Sequence, residues 1–236
     1  MKYFRKHPDL LIIANYPEGM HRIRRARLTT APQLSKILVH AITSTLAKTK
    51  KILLLTDSPD TKKHTGFITR TSWAAGKPFS IFQLTNRFIY NHETHTVCLL
   101  FHPDLFGRFW TDFFTLFLIG SLRITGKHTM MVFLTTPKLS VQPTLLQTIR
   151  YFIRFALYAL YTTLATKTVV GEKLLAHKLM RLTGKKTILA IPMTFRSLNE
   201  RRIAGKIFNE ELFPSPIKNL GLTHYLHPDA RTKPAA

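Results

Sequence analysis

A chain of 236 residues with 35 Lys and Arg against 12 Asp and Glu carries a formal charge of +23, a field that gathers anionic lipid, nucleotides or nucleic acid. At 45% hydrophobic residues, with 17 Phe and 7 Tyr, it can bury enough apolar surface to offset its ordering entropy, which excludes a disordered class. The single Cys98 excludes an intrachain disulfide framework and a Cys-rich zinc site, and its place in an apolar run predicts a reduced, packed thiol.

The N-terminus is basic (Lys2, Arg5, Lys6), but the apolar run after it is too short for the core of a signal peptide. Residues 9–14 (DLLIIA) form a β-favouring apolar run closed by Asn15-Tyr16-Pro17-Glu18-Gly19, which predicts a buried parallel strand. Thr30 and Pro32 then open an amphipathic helix in which Leu34, Ile37, Leu38, Ala41, Ile42 and Leu46 recur at helical spacing. Residues 51–56 (KILLLT) read as a second buried strand, so the first part of the chain spells βαβ.

Between residues 60 and 95 the signals conflict: 62–66 read as loop, while 79–84 and 87–90 suit short strands or a helix equally. Residues 96–101 (TVCLLF) predict a strand ended by His102-Pro103-Asp104. A helix over 109–125 follows, stopped by Gly126. Residues 129–134 (TMMVFL) predict the next strand, and 145–166 a long helix apolar around most of its circumference. A short strand at 167–171, a helix at 172–183 stopped by Gly184, and a strand at 187–191 complete the alternation.

This rhythm predicts an α/β, Rossmann-like, mostly parallel sheet with helices on both faces and a ligand crevice at the strands' carboxyl ends. One domain over 1–195 is expected, followed over 196–236 by a peripheral helix and a loose, Pro-containing tail. The greasiest segments, 113–122 and 152–165, are shorter than the roughly 18 to 20 apolar residues that cross a bilayer, so lying on its surface is the expected mode. A cytoplasmic protein peripheral to the membrane is the matching location.

Taken in order, the turn after the first strand (Asn15 to Gly19), the strand and helix over 167–181, and the closing Ile191-Pro192 resemble the N-terminal, acceptor-side domain of GT-B glycosyltransferases, particularly family 4. The resemblance spans residues 9–195. It implies sugar transfer from a nucleotide sugar, as donor substrate rather than cofactor, to a lipid- or glycan-linked acceptor, and no resident cofactor or metal. One departure is local: where the family carries a Thr-x-His pattern, this chain has Thr135-Thr136-Pro137, with no imidazole there. The other is length, since the family's second, nucleotide-sugar-binding domain has no room after Ile191-Pro192; a separate donor-binding domain or subunit is implied as partner.

The candidate phosphate- or donor-binding residues are Gly19, whose missing Cβ lets the backbone approach an anion, and Arg22, Arg24 and Arg25 beside it, with planar multidentate donors. An ordinary turn and a solvated basic loop are the plain alternatives. The candidate catalytic residues are His102, at a strand's carboxyl end and suited to binding acceptor hydroxyls or to proton transfer, with a turn histidine without function as the plain alternative, and Asp104, which orients it or caps the next helix. His92, Glu93 and His95 lack a further ligand at metal-binding spacing. Phe109, Trp110, Phe113, Phe114 and Phe117 read as core or as a wedge in lipid headgroups. From the other functional class, a basic nucleic-acid-binding module fits the charge but lacks any recognition motif, and a non-catalytic scaffold or decayed glycosyltransferase fragment is the third reading.

Overall fold

The computed structural model describes residues 8–16, 31–57, 66–73, 94–103, 105–106, 109–137, 141–191 and 198–213, together with 77, 81, 82, 84, 85 and 193. Seven strands form one sheet in the order β3-β2-β1-β4-β5-β6-β7. They are β1 (Leu10–Ile13), β2 (Ile52–Thr56), β3 (Ile68–Thr71), β4 (Thr96–Phe101), β5 (His128–Phe133), β6 (Lys167–Val170) and β7 (Leu189–Ala190). Every pairing is parallel. Among the described residues the helices are α1 (Ala31–Leu46), α2 (Phe109–Ile124), α3 (Leu145–Leu164), α4 (Lys173–Thr183) and α5 (Leu198–Leu212). The architecture is α/β and Rossmann-like.

All-parallel strands have both faces covered, so their residues are apolar without alternation. The whole of β1 and β4 is buried. Alternate side chains of these strands feed two cores. Leu11, Ile13, Val97, Leu99, Phe101, Met131 and Phe133 meet Leu118, Ile119 and Leu122 of α2, Leu157, Tyr158 and Tyr161 of α3, and Leu175 and Leu179 of α4. On the other face Leu10, Ile12, Leu54, Cys98, Leu100, Met130 and Val132 meet Leu34, Leu38 and Ile42 of α1 and Ala204, Phe208 and Leu212 of α5. Burial pushes the Cys98 thiol up to about 12, so it is a packed, protonated thiol.

Helix ends follow local chemistry. Gly126 and Gly184 take left-handed φ of 69° and 67° after α2 and α4, a conformation that favours glycine. Thr144 opens α3 with a reciprocal capping box: its hydroxyl accepts from the Gln147 amide, and its own amide donates to the Gln147 side chain. At the other end Arg123 of α2 donates to the carbonyls of Thr163 and Leu164, satisfying groups the helix itself leaves open.

Three elements depart from the sequence-based reading or refine it. β3 lies within the region of conflicting signals; it is an edge strand whose Ile68-Thr69-Arg70-Thr71 is largely exposed, so no buried apolar run announces it. Residues 81, 82, 84 and 85 are helical, and Ile81 and Leu84 pack in the core beneath Trp73 and Phe106; residues 87–90 lie outside the described residues. The helix expected near the C-terminal end is α5, which returns across the sheet to pack on α1. The approach there is close: a Cβ on Gly205 would stand 2.4 Å from the Ala41 carbonyl oxygen.

Candidate functional site

In the sheet order, neighbours on one side of β1 continue to β2 and β3, and on the other to β4 and β5, so the connections change direction between β1 and β4. That is the topological switch point, where open α/β sheets bind ligands beyond the carboxyl ends of their strands. Because β1 and β4 pair in parallel, with Ile13 opposite Leu99, the segment leaving β1 and the turn leaving β4 emerge at the same edge.

His102 is the first residue beyond β4, and it is buried. Its Nδ1 lies 2.8 Å from the carbonyl oxygen of Pro103, while its own carbonyl accepts from the Leu105 amide at 3.0 Å, closing the turn. A carbonyl oxygen only accepts, so in a neutral ring Nδ1 carries the proton and Nε2 is the basic nitrogen. A histidine held in this tautomer has the form a general base requires, although Nε2 is itself buried here, so a ligand reaches it only if the surrounding segments move. Asp104, Gly19, Arg22, Arg24 and Arg25 lie outside the described residues, as do Pro17, Glu18, Pro192, His92 and Glu93. Of the candidate site residues, His102 alone is within them.

At the ends of β1 and β2 the structure brings together a polar group that the sequence reading treated only as turn punctuation. Asn15 Nδ2 donates to Asp57 Oδ2 at 3.4 Å, the Thr56 hydroxyl to Asp57 Oδ1 at 3.3 Å, and the Tyr16 amide to Thr56 Oγ1 at 3.3 Å. The Tyr16 hydroxyl meets His40 Nε2 of α1 at 2.9 Å, and Lys36 Nζ sits 5.0 Å from the Tyr16 ring centroid. Hydroxyl, amide, carboxylate and ammonium groups thus collect on the rim beside the switch point. The available signal was positional: Asp57 is the first residue after a buried strand, at the edge where α/β sheets carry their chemistry.

The third part of the rim belongs to β5 and β6. Tyr158 of α3 donates its hydroxyl to the Thr135 carbonyl at 2.9 Å, fixing the loop after β5. A Cβ added to Gly171, just beyond β6, would stand 3.0 Å from Met193 Cγ, so the chain segments leaving β6 and β7 run close together.

Among the described residues no group of His, Cys, Asp and Glu is arranged to hold a metal ion, and no helix is long and apolar enough to cross a membrane. Comparison with protein families and with curated proteins finds no match.

Proposed function

We propose that the protein is a glycosyltransferase-like acceptor-binding half, taking part in sugar transfer from a nucleotide sugar to a lipid- or glycan-linked acceptor at an anionic membrane face. The observation that carries the reading is the switch point: a seven-stranded parallel sheet reverses between β1 and β4, and a buried histidine with a basic Nε2 stands at the end of β4. The order of elements that resembles the GT-B acceptor-side domain supports the same reading.

In this role His102 accepts the proton of an acceptor hydroxyl as that oxygen bonds to the sugar's anomeric carbon and the bond from that carbon to the nucleotide's phosphate oxygen breaks, the nucleotide leaving as a phosphate anion. Asp104, outside the described residues, is the residue the sequence assigns to orient the ring. In the same reading Gly19, Arg22, Arg24 and Arg25, which lie outside the described residues, serve the donor's phosphates, because guanidinium forks match phosphate geometry. The nucleotide sugar is held chiefly by a second Rossmann-like lobe, on the same polypeptide or another. No resident cofactor takes part in this scheme, and a cytoplasmic, membrane-peripheral location goes with it.

The test is NMR on 13C-histidine-labelled protein titrated with nucleotide sugars and, separately, with polyprenyl phosphate in nanodiscs and with free oligosaccharides. The His102 ring resonances, assigned by His102→Asn, are expected to move with an acceptor and not with a donor. Silence across the acceptors would defeat the reading, as would efficient turnover of a nucleotide sugar by the chain alone. The net charge supports a second reading, nucleic-acid binding, which predicts RNA or DNA affinity falling steeply with salt in filter binding.

A further inference from the structure

Helices α2, α3 and α4 form one layer over the sheet, and the outward side of α3 is apolar. Leu145, Ile149, Phe152, Ala156 and Leu160 recur at intervals of three and four residues and are all exposed, Leu145 at 78% and Phe152 at 62%. A helix on the surface of a globular domain ordinarily turns its polar side outward. Here both sides are apolar, Leu157, Tyr158 and Tyr161 facing the core and this stripe facing outward.

The first two turns of α3 add no described residue to the core, which α3 enters from Ile153 onward. No residue from 145 to 156 is buried; burial begins at Leu157 and Tyr158, and Tyr158 already reaches the Thr135 carbonyl at the sheet's carboxyl edge. The helix runs back from that edge, so residues 145–152, about 12 Å of helix, extend past it. Its start carries the Thr144–Gln147 capping box, and among the described residues none from 145 to 152 packs in the core.

The surrounding charge is of one sign. No Asp or Glu occurs between Asp112 and Glu172, whereas α3 itself carries Arg150 and Arg154. The neighbouring α4 exposes Lys173, Lys178 and Arg181. A second copy of a chain with charge +23 is a poor occupant of such a face, because it brings the same charge.

We propose that the outer face of the α2–α3–α4 layer is a docking surface for an anionic lipid bilayer, with Leu145, Ile149 and Phe152 entering the acyl boundary and Arg150, Lys178 and Arg181 at the headgroup phosphates. Insertion of a narrow apolar stripe and attraction of flanking cations to acidic lipid add, and together they hold a helix in the interface plane without a membrane span. Long basic side chains keep their aliphatic stems on the apolar side while the charge stays at the phosphates. The overhang delivers this surface to the rim that carries His102, so a lipid-linked acceptor reaches the site without leaving the bilayer. This deepens the membrane-face element of the sugar-transfer reading by naming the surface and the lipid class.

The experiment is co-sedimentation of the full chain with phosphatidylcholine vesicles and with vesicles of phosphatidylcholine and phosphatidylglycerol, in the absence of any sugar. Binding is expected only with the anionic vesicles. Ile149→Ser with Phe152→Ser, and separately Lys178→Gln with Arg181→Gln, are each expected to lower the partition coefficient about tenfold, with circular dichroism unchanged. A probe attached through Phe152→Cys, selective because Cys98 is a buried, protonated thiol, is expected to shift to the blue in anionic vesicles only. No binding to anionic vesicles overturns the proposal, as does undiminished binding of the Ile149/Phe152 variant. A dimer in sedimentation equilibrium that the same variant dissociates also overturns it, by assigning the face to a second copy. Failure here leaves sugar transfer to a soluble glycan standing, because that reading is read out at His102.

Discussion

The two ends of α3 are built from similar residues and meet different fates. Over residues 157–164, Leu157, Tyr158, Tyr161 and Thr162 are buried, with Tyr158 stacked on Phe133 at 4.1 Å and Tyr161 edge-on to Phe101 at 5.1 Å. The Tyr161 hydroxyl donates to the Asp112 carbonyl, and burial raises the phenol's pKa, keeping it a neutral donor. Over residues 145–156 an equally aromatic and aliphatic sequence has no buried member. Composition does not separate the two; the extent of the sheet beneath them does. Of the first half only Ile153 and Phe155 pack against the core, while Leu145, Ile149 and Phe152 stay exposed.

The comparison breaks most visibly in the buried half. Phe133→Ala removes the ring on which Tyr158 stacks, and a loss of about 3–5 kcal/mol is expected in urea denaturation; a loss below about 1 kcal/mol would mean that this half is no better packed than the other. Next comes the cap, because among the described residues none from 145 to 152 packs in the core. Thr144→Ala is expected to cost about 1 kcal/mol and to reduce hydrogen-exchange protection over the first turns of α3 while leaving residues 157–164 protected.

A smaller effect depends on pH. Burial and the nearby Lys167 lower the pKa of His128, against a weaker opposite pull from Glu211, at the amino edge of β5. Its folded-state pKa lies below the ordinary 6.5, so on acidification the unfolded chain takes up the proton first, and stability falls as pH drops below about 6.5 until the folded-state value is passed. His128→Gln should flatten the slope of melting temperature between pH 7 and 5, and identical slopes would refute the assignment. The smallest effect sharpens the contrast from the exposed side: Phe152→Ser should change stability by less than about 0.5 kcal/mol, since the ring is already solvated.

Much of the fold was legible because burial on both sheet faces writes itself as unbroken apolar runs. Residues 96–101 were read as a strand and are one, and the stops at Gly126 and Gly184 coincide with left-handed backbone that other residues adopt at a cost. β3 was not legible: an edge strand of mixed exposure has no such run. Nor was the burial of α5, which depends on a glycine facing a carbonyl of α1 far away in the chain. In the site, His102 was recognisable as a residue beyond a buried strand. The approach of Asn15 to Asp57 was not, because 42 residues separate them in sequence.

The amino-acid sequence by itself determined the alternation of strands and helices, the places where helices stop and the excess of positive charge, because each depends on near neighbours in the chain or on composition. Only the tertiary structure decided that β1 and β4 lie side by side with a histidine at their shared edge, that two turns' worth of α3 run past the sheet, and that an apolar stripe faces outward there. Those properties depend on which strands pair and on where the sheet ends, and both are settled by contacts between residues far apart in the chain.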